Sequence, residues 1–230
     1  MQVNWQTYPD SAALAEALAS TVAAKLGEAI ATRGSAFIAV SGGSTPKKFF
    51  AALSRKPLDW AKVTVTLVDE RFVDEASDRS NASLVRNNLL QNEAAAARFI
   101  GLYHNARDAN SAAHQASEDL VVQNWPLDVA ILGMGTDGHT ASFFPDAPNL
   151  ATLLDPARPT LVEAVDTVAG GEPRLTLPLA RLIDAGFVAL HIEGEEKRSV
   201  LDAAMQPGSE LPVSAVLRHA REPLPVYWAG

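Results

Sequence analysis

The sequence predicts an α/β fold, in which a mostly parallel sheet carries helices on both faces. Short apolar runs alternate with longer amphipathic or alanine-rich stretches along the 230 residues, a pattern typical of βαβ units. Hydrophobic residues make up 47% of the chain, enough for a large core, and no uninterrupted apolar run reaches membrane length. We expect one domain spanning residues 1–230, because single α/β domains commonly reach this size.

Each strand is predicted from a short apolar run, and each helix from a longer stretch with helical periodicity or many alanines. The predicted strands are Ala36–Val40, Val63–Val68, Phe99–Leu102, Leu127–Leu132, Thr160–Val165, Leu175–Leu177, Gly186–Ile192 and Pro225–Trp228. The predicted helices are Ser11–Ala31, Pro46–Ser54, Asn81–Leu90, Ser111–Gln123, Leu179–Ala185, Glu195–Met205 and Val213–Arg218. The Pro- and Gly-rich stretch from Pro145 to Pro173 is interpreted as a surface excursion, since the alternation resumes directly after it.

Charge and cysteine content narrow the possible functions. The formal net charge of −8 disfavours a broad nucleic-acid surface, which requires clustered Lys and Arg. The absence of cysteine excludes disulfides, a thiolate nucleophile and thiolate metal sites. The first residues lack the basic and apolar segments of a secretion signal, so we expect a cytoplasmic protein that acts without a membrane.

The first candidate site is the sequence SGGSTP, which follows the predicted strand ending at Val40. Gly42 and Gly43 let backbone N–H groups approach an oxyanion, and Ser44 adds a hydroxyl donor. Pro46 suits the first turn of a helix, whose positive end favours a phosphate. The spacings of nucleotide-binding glycine loops are absent. The alternative interpretation is an ordinary strand-to-helix turn.

The second candidate is Asp69-Glu70-Arg71, where an apolar strand reaches the edge of the sheet. Because neighbouring side chains of an extended segment point in opposite directions, one should face a cleft while another pairs or points to solvent. Asp69 and Arg71 are the candidates for substrate binding, since a guanidinium offers a planar fork for phosphate or carboxylate. A structural cluster of ion pairs is the alternative.

The third candidate is the sequence GMGTDGHT, in which Asp137 and His139 lie among three glycines after a buried strand. A neutral imidazole can accept a proton from water, and a neighbouring carboxylate can hold its orientation. A loop histidine with a hydrogen-bonding role alone is the alternative. The occurrence of three polar loops at one sheet edge favours the functional interpretation, because ligands bind beyond the carboxyl ends of parallel strands.

Other chemistries find less support in the sequence. The remaining histidines are interpreted as surface or core residues; they are His104, His114, His191 and His219. No metal is expected, because Asp137 and His139 have no further ligands at zinc or EF-hand spacing. A GxSxG nucleophile elbow is missing, which disfavours a serine hydrolase.

Two cations complete the candidate residues. Arg174 precedes a predicted strand, and Lys197 lies at the start of a predicted helix. A cation is more stable at a helix C-terminus than at the positive N-terminal end, where Lys197 is predicted to lie. An inward-facing Lys197 beside a bound phosphate would offset this unfavourable position. A solvated face formed by the sequence EEKR is the alternative.

Together these segments resemble the 6-phosphogluconolactonase family, and they occur in the family's order over most of the chain. The motifs are SGGSTP, VDERFV with SDRSNASLVRNNLL, LDVAILGMGTDGHTASFFP, RLTLPL and EGEEKRSVL. The resemblance implies the fold shared with glucosamine-6-phosphate deaminases and ribose-5-phosphate isomerases. It further implies hydrolysis of 6-phospho-D-glucono-1,5-lactone, a phosphorylated sugar lactone, without a cofactor.

The resemblance also implies roles for individual residues. His139 corresponds to the family's acid/base residue, with Asp137 beside it. The phosphate-binding loop corresponds to Gly42, Gly43 and Ser44, and the substrate-binding cations to Arg71, Arg174 and Lys197. Which of these cations contacts the phosphate is left open.

Two other functions remain as alternatives: a sugar-phosphate isomerase or deaminase on the same scaffold, and a sugar-phosphate sensor without catalysis. The related deaminase loop has the approximate sequence GxDGHIAFNEP, with a glutamate before the proline. Phe144 occupies that position here, which favours the lactonase because phenylalanine cannot transfer a proton. A sensor would need an output module, and none is recognised.

Overall fold

The computed structural model describes residues 2–166, 171–221 and 223–230. Its strands are β1 (Val3–Tyr8), β2 (Ala36–Val40), β3 (Val63–Leu67), β4 (Asp69–Arg71), β5 (Arg98–Phe99), β6 (Val129–Leu132), β7 (Glu163–Val165), β8 (Arg174–Thr176), β9 (Phe187–Glu193) and β10 (Leu224–Ala229). Its α-helices are α1 (Ser11–Arg33), α2 (Lys47–Leu53), α3 (Asn81–Asn88), α4 (Ala109–Val121), α5 (Leu150–Leu153), α6 (Leu179–Ile183), α7 (Glu195–Ala204) and α8 (Val213–His219). Among these residues, no helix is long and apolar enough to cross a membrane.

The main sheet confirms the predicted mostly parallel α/β architecture. Seven strands lie in the order β1-β10-β9-β6-β2-β3-β5, and every neighbouring pair is parallel. The central strands β2 and β6 are buried along their whole length, which explains why their sequences are continuous apolar runs. One hydrophobic cluster of buried residues includes side chains of both sheets and most helices.

A smaller antiparallel sheet, ordered β4-β8-β7, was not predicted. Val68 joins the two sheets: its N–H donates to Val40 in the main sheet, and its carbonyl accepts from Leu177 after β8. The predicted strands Thr160–Val165 and Leu175–Leu177 therefore contribute to this second sheet, not to the parallel one. The segment interpreted as the Asp69–Arg71 loop is a strand of the same sheet.

Further elements differ from the prediction for local reasons. The edge strand β1 was missed because half of its residues are polar, which suits a strand paired only with β10. The short helix α5 and the strand β7 lie in the proposed surface excursion between Pro145 and Pro173, of which residues 167–170 lie outside the described ranges.

Capping groups fix where the long helices begin and end. Asp10 accepts hydrogen bonds from the N–H groups of Ala12 and Ala13 at the start of α1, and Gly34 ends it with φ of +82°. Ser80 caps α3 by accepting from Ser83. At the carboxyl edge of the main sheet, Ser41 N–H donates to the Ile131 carbonyl.

Candidate active site

A cleft with a volume of about 240 Å³ opens at the carboxyl edge of the main sheet. The loops after β2 and β6 line it together with β4 and the first turn of α7. Seven of the nine candidate residues lie in its wall, namely Gly42, Gly43, Ser44, Asp69, Arg71, His139 and Lys197. The topology thus brings together polar groups from four separate segments of the chain.

Hydrogen bonds fix the turn after β2 beside strand β6 and the loop that follows it. Ser41 Oγ donates to the Ile131 carbonyl at 3.0 Å and accepts from Gly133 N–H at 3.1 Å, which ties this turn to the loop after β6. Gly43 adopts φ of +96°, a conformation that favours glycine. Pro46 is the N-cap of α2, so the helix begins at Lys47, one residue later than predicted.

Asn81 explains why residue 42 is glycine. A Cβ atom built on Gly42 would lie 2.6 Å from Asn81 Nδ2 and even closer to the Cγ and Oδ1 atoms. The Asn81 side chain is 3% exposed, and its Nδ2 donates to the Asp69 carbonyl at 2.9 Å. Asn81 lines the cleft and joins β4 to the turn.

Side chains of β4 alternate as predicted. Asp69 and Arg71 face the cleft, and Ser142 Oγ donates to Asp69 Oδ2 at 2.7 Å. Arg71 Nη1 donates to the Arg79 carbonyl at 2.5 Å. The intervening Glu70 points away from the cleft and is fully buried.

Glu70 holds the N-terminus of α3. Its carboxylate accepts from the N–H groups of Arg71, Asn81 and Ala82 at 2.7–2.8 Å and from Ser80 Oγ at 3.1 Å. Burial raises the pKa of Glu70, while these four hydrogen bonds oppose that shift. Through this carboxylate, Arg71 and Asn81 are held at fixed positions in the cleft.

Asp137 and His139 form a hydrogen-bonded pair. His139 Nδ1 lies 2.5 Å from Asp137 Oδ1, which also accepts from His139 N–H at 3.1 Å. Burial alone would raise the pKa of Asp137, but the hydrogen bonds and charge of His139 outweigh it and lower the pKa. An ionised Asp137 requires hydrogen on Nδ1, which leaves His139 Nε2 able to accept a proton.

Glycines make this loop conformation possible. A Cβ on Gly135 would lie 2.6 Å from Asp137 Oδ1 and closer still to the His139 ring. Gly138 has φ of +78°, and a Cβ there would approach Leu211 to 2.9 Å. Gly135 therefore leaves room for the His139 side chain, and Gly138 allows the turn to pack closely against Leu211.

The Phe144 ring contacts both His139 and Arg174. The Phe144 ring lies 4.7 Å from the His139 ring, and the Arg174 guanidinium lies 5.6 Å from the Phe144 centroid. Arg174 does not line the cleft, and within the described ranges its buried Nε and Nη1 have no hydrogen-bond partner. Burial, and then the charge of Arg71, lower the pKa of Arg174.

Lys197 is half-buried in the cleft wall, whereas Glu195 and Glu196 of the same turn are exposed. Burial lowers the pKa of Lys197, and Glu193 and Glu196 oppose the shift. The solvated-face alternative thus describes the two glutamates but not the lysine. Within the ranges that the structure describes, no three His, Asp or Glu residues are placed to hold a metal ion.

Asn81 and His191 line the cleft but were not among the candidate residues. Asn81 belongs to the sequence RSNAS, where the helix start was the only signal. His191 was interpreted as a surface or core residue; it is buried in β9, and it also lines the cleft. A buried strand that ends at the binding edge was the signal for His191.

Comparison with known proteins supports the resemblance. Residues 9–226 match the family model described as "Glucosamine-6-phosphate isomerases/6-phosphogluconolactonase". A 6-phosphogluconolactonase from Mesorhizobium japonicum is 60% identical over 98% of this chain and 95% of its own length. One from Rhizobium meliloti is 54% identical over 100% of both chains.

Solved structures show the same architecture. The crystal structure of a 6-phosphogluconolactonase from Shewanella baltica has a TM-score of 0.94 at 38% identity, covering 100% of this chain and 98% of the other. A monomeric glucosamine-6-phosphate deaminase has a TM-score of 0.76 at 17% identity and shares the fold, over 99% of this chain and 97% of its own. On this evidence the chain belongs to the glucosamine-6-phosphate isomerase/6-phosphogluconolactonase family.

Proposed function

We propose that this protein hydrolyses 6-phospho-D-glucono-1,5-lactone to 6-phospho-D-gluconate in the pentose phosphate pathway. The proposal rests chiefly on the hydrogen-bonded pair of Asp137 and His139. His139 lines the same cleft as the glycine turn after β2 and the cations Arg71 and Lys197. The relatives that are 60% and 54% identical are named for this activity. The reaction as proposed requires no cofactor.

In the proposed mechanism, His139 acts first as a base and then as an acid. Nε2 takes a proton from water as the water oxygen bonds to lactone C1, giving a tetrahedral intermediate. When the intermediate collapses, the bond between C1 and the ring oxygen breaks, and the imidazolium returns its proton to that oxygen. Asp137 fixes the tautomer through Nδ1 and stabilises the imidazolium. General acid/base catalysis of this kind increases the reaction rate roughly 10²–10⁴-fold.

The phosphate is proposed to bind at the turn after β2. Backbone N–H groups of Gly42 and Gly43 and the hydroxyl of Ser44 suit phosphate oxygens. Lys197 supplies a charge that has no ion pair within the described residues. Asp69, with Oδ2 already accepting from Ser142, suits a donor group such as a sugar hydroxyl.

A deaminase reaction is the second candidate, and Phe144 argues against it. Its ring packs on His139 where the deaminase motif has a glutamate, so a proton-transferring acid is missing beside the histidine. We expect no appreciable ammonia release from glucosamine 6-phosphate under conditions where the lactone is hydrolysed. Comparable turnover of both substrates would favour the deaminase.

Proton release from freshly generated lactone tests the proposal. The purified protein should exceed the spontaneous rate, and dialysis against a chelator should leave its rate unchanged. Binding of the lactone without acceleration would instead support a sugar-phosphate sensor.

A further inference from the structure

A second histidine–carboxylate pair lies at the cleft, on β9. His191 is 4% exposed, and its ring lines the cleft. His191 Nε2 lies 3.3 Å from Glu193 Oε1, two residues along the strand and therefore on the same face. Ser11 Oγ donates to Glu193 Oε2 at 2.7 Å, so both carboxylate oxygens have partners.

The pair lies at the end of the cleft proposed to bind phosphate. Phe49, on the helix that follows the glycine turn, packs edge-on against His191 with ring centroids 6.1 Å apart. Lys197 lines the same cleft from the helix that follows β9. His191 therefore lies among the groups that are best suited to an anion.

Charges around the ring determine which of its nitrogens carries hydrogen. The hydrogen bond from His191 lowers the pKa of Glu193 against the effect of burial, with further contributions from Ser11 and Lys48. An ionised Glu193 requires hydrogen on His191 Nε2. Within the part of the chain that the structure describes, Nδ1 has no hydrogen-bond partner.

The charged groups that act on this region are the Glu193 carboxylate and the ammonium groups of Lys48 and Lys197, which interact with that carboxylate. A bound phosphate dianion would add negative charge to the same region, and its opposite charge would stabilise an imidazolium beside it. Histidine is suited to this task because its charge changes within the physiological pH range.

We propose that His191 is a phosphate-binding residue, which donates a hydrogen bond from Nδ1 as an imidazolium while Glu193 holds Nε2. This inference deepens the proposed function and rests on its assignment of the phosphate to this end of the cleft. It assigns to the buried pair a role in binding that is separate from proton transfer by His139.

Binding of 6-phosphogluconate, measured by titration calorimetry from about pH 6 to about pH 8, tests the inference. His191→Phe keeps the ring that packs on Phe49 but removes both nitrogens, so Kd should rise about tenfold or more at the lower pH. The ratio of variant to wild-type Kd should shrink toward one as pH rises, because the wild-type imidazolium is lost. His191→Asn, which places a neutral amide near the Nδ1 position, should bind more tightly than His191→Phe.

His114→Asn is the matched control, because His114 also faces a glutamate but lies on the surface; its Kd should equal that of the wild type. The inference would be overturned if the ratio of the His191→Phe Kd to the wild-type Kd stayed near one, or if it were raised equally at all pH values. Equal Kd values for the two His191 variants would also overturn it. If the wild type binds 6-phosphogluconate in this His191-dependent way without hydrolysing the lactone, the proposed hydrolysis fails and the phosphate site stands.

Discussion

Replacing Gly42 by alanine should disrupt the cleft through one neighbour, Asn81. The three atoms nearest to the added Cβ all belong to the Asn81 side chain, and the farthest of them, Nδ2, lies at 2.6 Å. The side chain must move, which costs about 1–3 kcal/mol for overpacking and about 0.5–1.5 kcal/mol for the lost hydrogen bond to Asp69. We expect a total loss of about 1.5–4.5 kcal/mol, or a Tm lower by about 3–18 °C.

The destabilisation caused by Gly42→Ala should largely disappear when the Asn81 side chain is removed. In an Asn81→Ala background, Gly42→Ala should lower the free energy of unfolding by less than about 0.5 kcal/mol, because the clashing atoms lie beyond Cβ. Denaturant unfolding of the wild type, both single variants and the double variant measures this coupling. An equal cost of Gly42→Ala in both backgrounds would refute the steric explanation.

Gly43→Ala is the matched control at the neighbouring position. A Cβ on Gly43 meets nothing within 4 Å, but its φ of +96° is strained for alanine. The expected cost is about 1–2 kcal/mol of backbone strain, and it should be the same with and without the Asn81 side chain. Coupling of Gly43→Ala to Asn81→Ala would show that Asn81 acts on the whole turn instead of one contact.

Four further predictions concern the site. His139→Ala should lower kcat about 10²–10⁴-fold with little change in KM, and a near-normal kcat would remove its catalytic role. Lys197→Ala should raise KM for the phosphorylated lactone more than for gluconolactone, whereas equal effects would contradict phosphate binding. Glu70→Gln should lower stability by about 1–3 kcal/mol and raise KM, because an amide cannot accept all four hydrogen bonds. Glu75→Gln, at a partly exposed surface ion pair, should do neither. The pKa of Asp137 is lowered in the folded state, so its ionised carboxylate stabilises the fold at neutral pH, and this contribution is lost as pH falls through that pKa. The difference in the free energy of unfolding between the wild type and Asp137→Asn should therefore disappear in acid.

The sequence predicted where the candidate residues gather better than it predicted the small sheet. Strands such as β2 and β6 are buried on both faces and therefore stand out as short continuous apolar runs, and the polar loops that follow parallel strands must meet at one edge. By contrast, β4 and β8 are three residues long and pair antiparallel through contacts between residues about a hundred positions apart. No local periodicity marks such short strands.

Asn81 and His191 were missed for a related reason. Asn81 reaches the cleft because Glu70 fixes the start of α3 against β4, an interaction between segments that local sequence patterns do not reveal. His191 stands in an apolar strand, where a histidine is ordinarily a core residue with satisfied hydrogen bonds. Its position near the carboxyl end of β9 becomes informative only once the order of strands is known.

Phe144 is the position that distinguishes the two reactions proposed for this site. Its ring contacts the His139 ring on one hand and the Arg174 guanidinium on the other. A glutamate in its place would lie between a base and a cation, where the guanidinium would favour the ionised form and the imidazole could exchange a proton with it. Such an arrangement suits opening of a sugar ring by acid/base catalysis. With phenylalanine, Asp137 is the carboxylate that contacts His139, and the proposed activation of one water molecule against an activated ester needs no second acid.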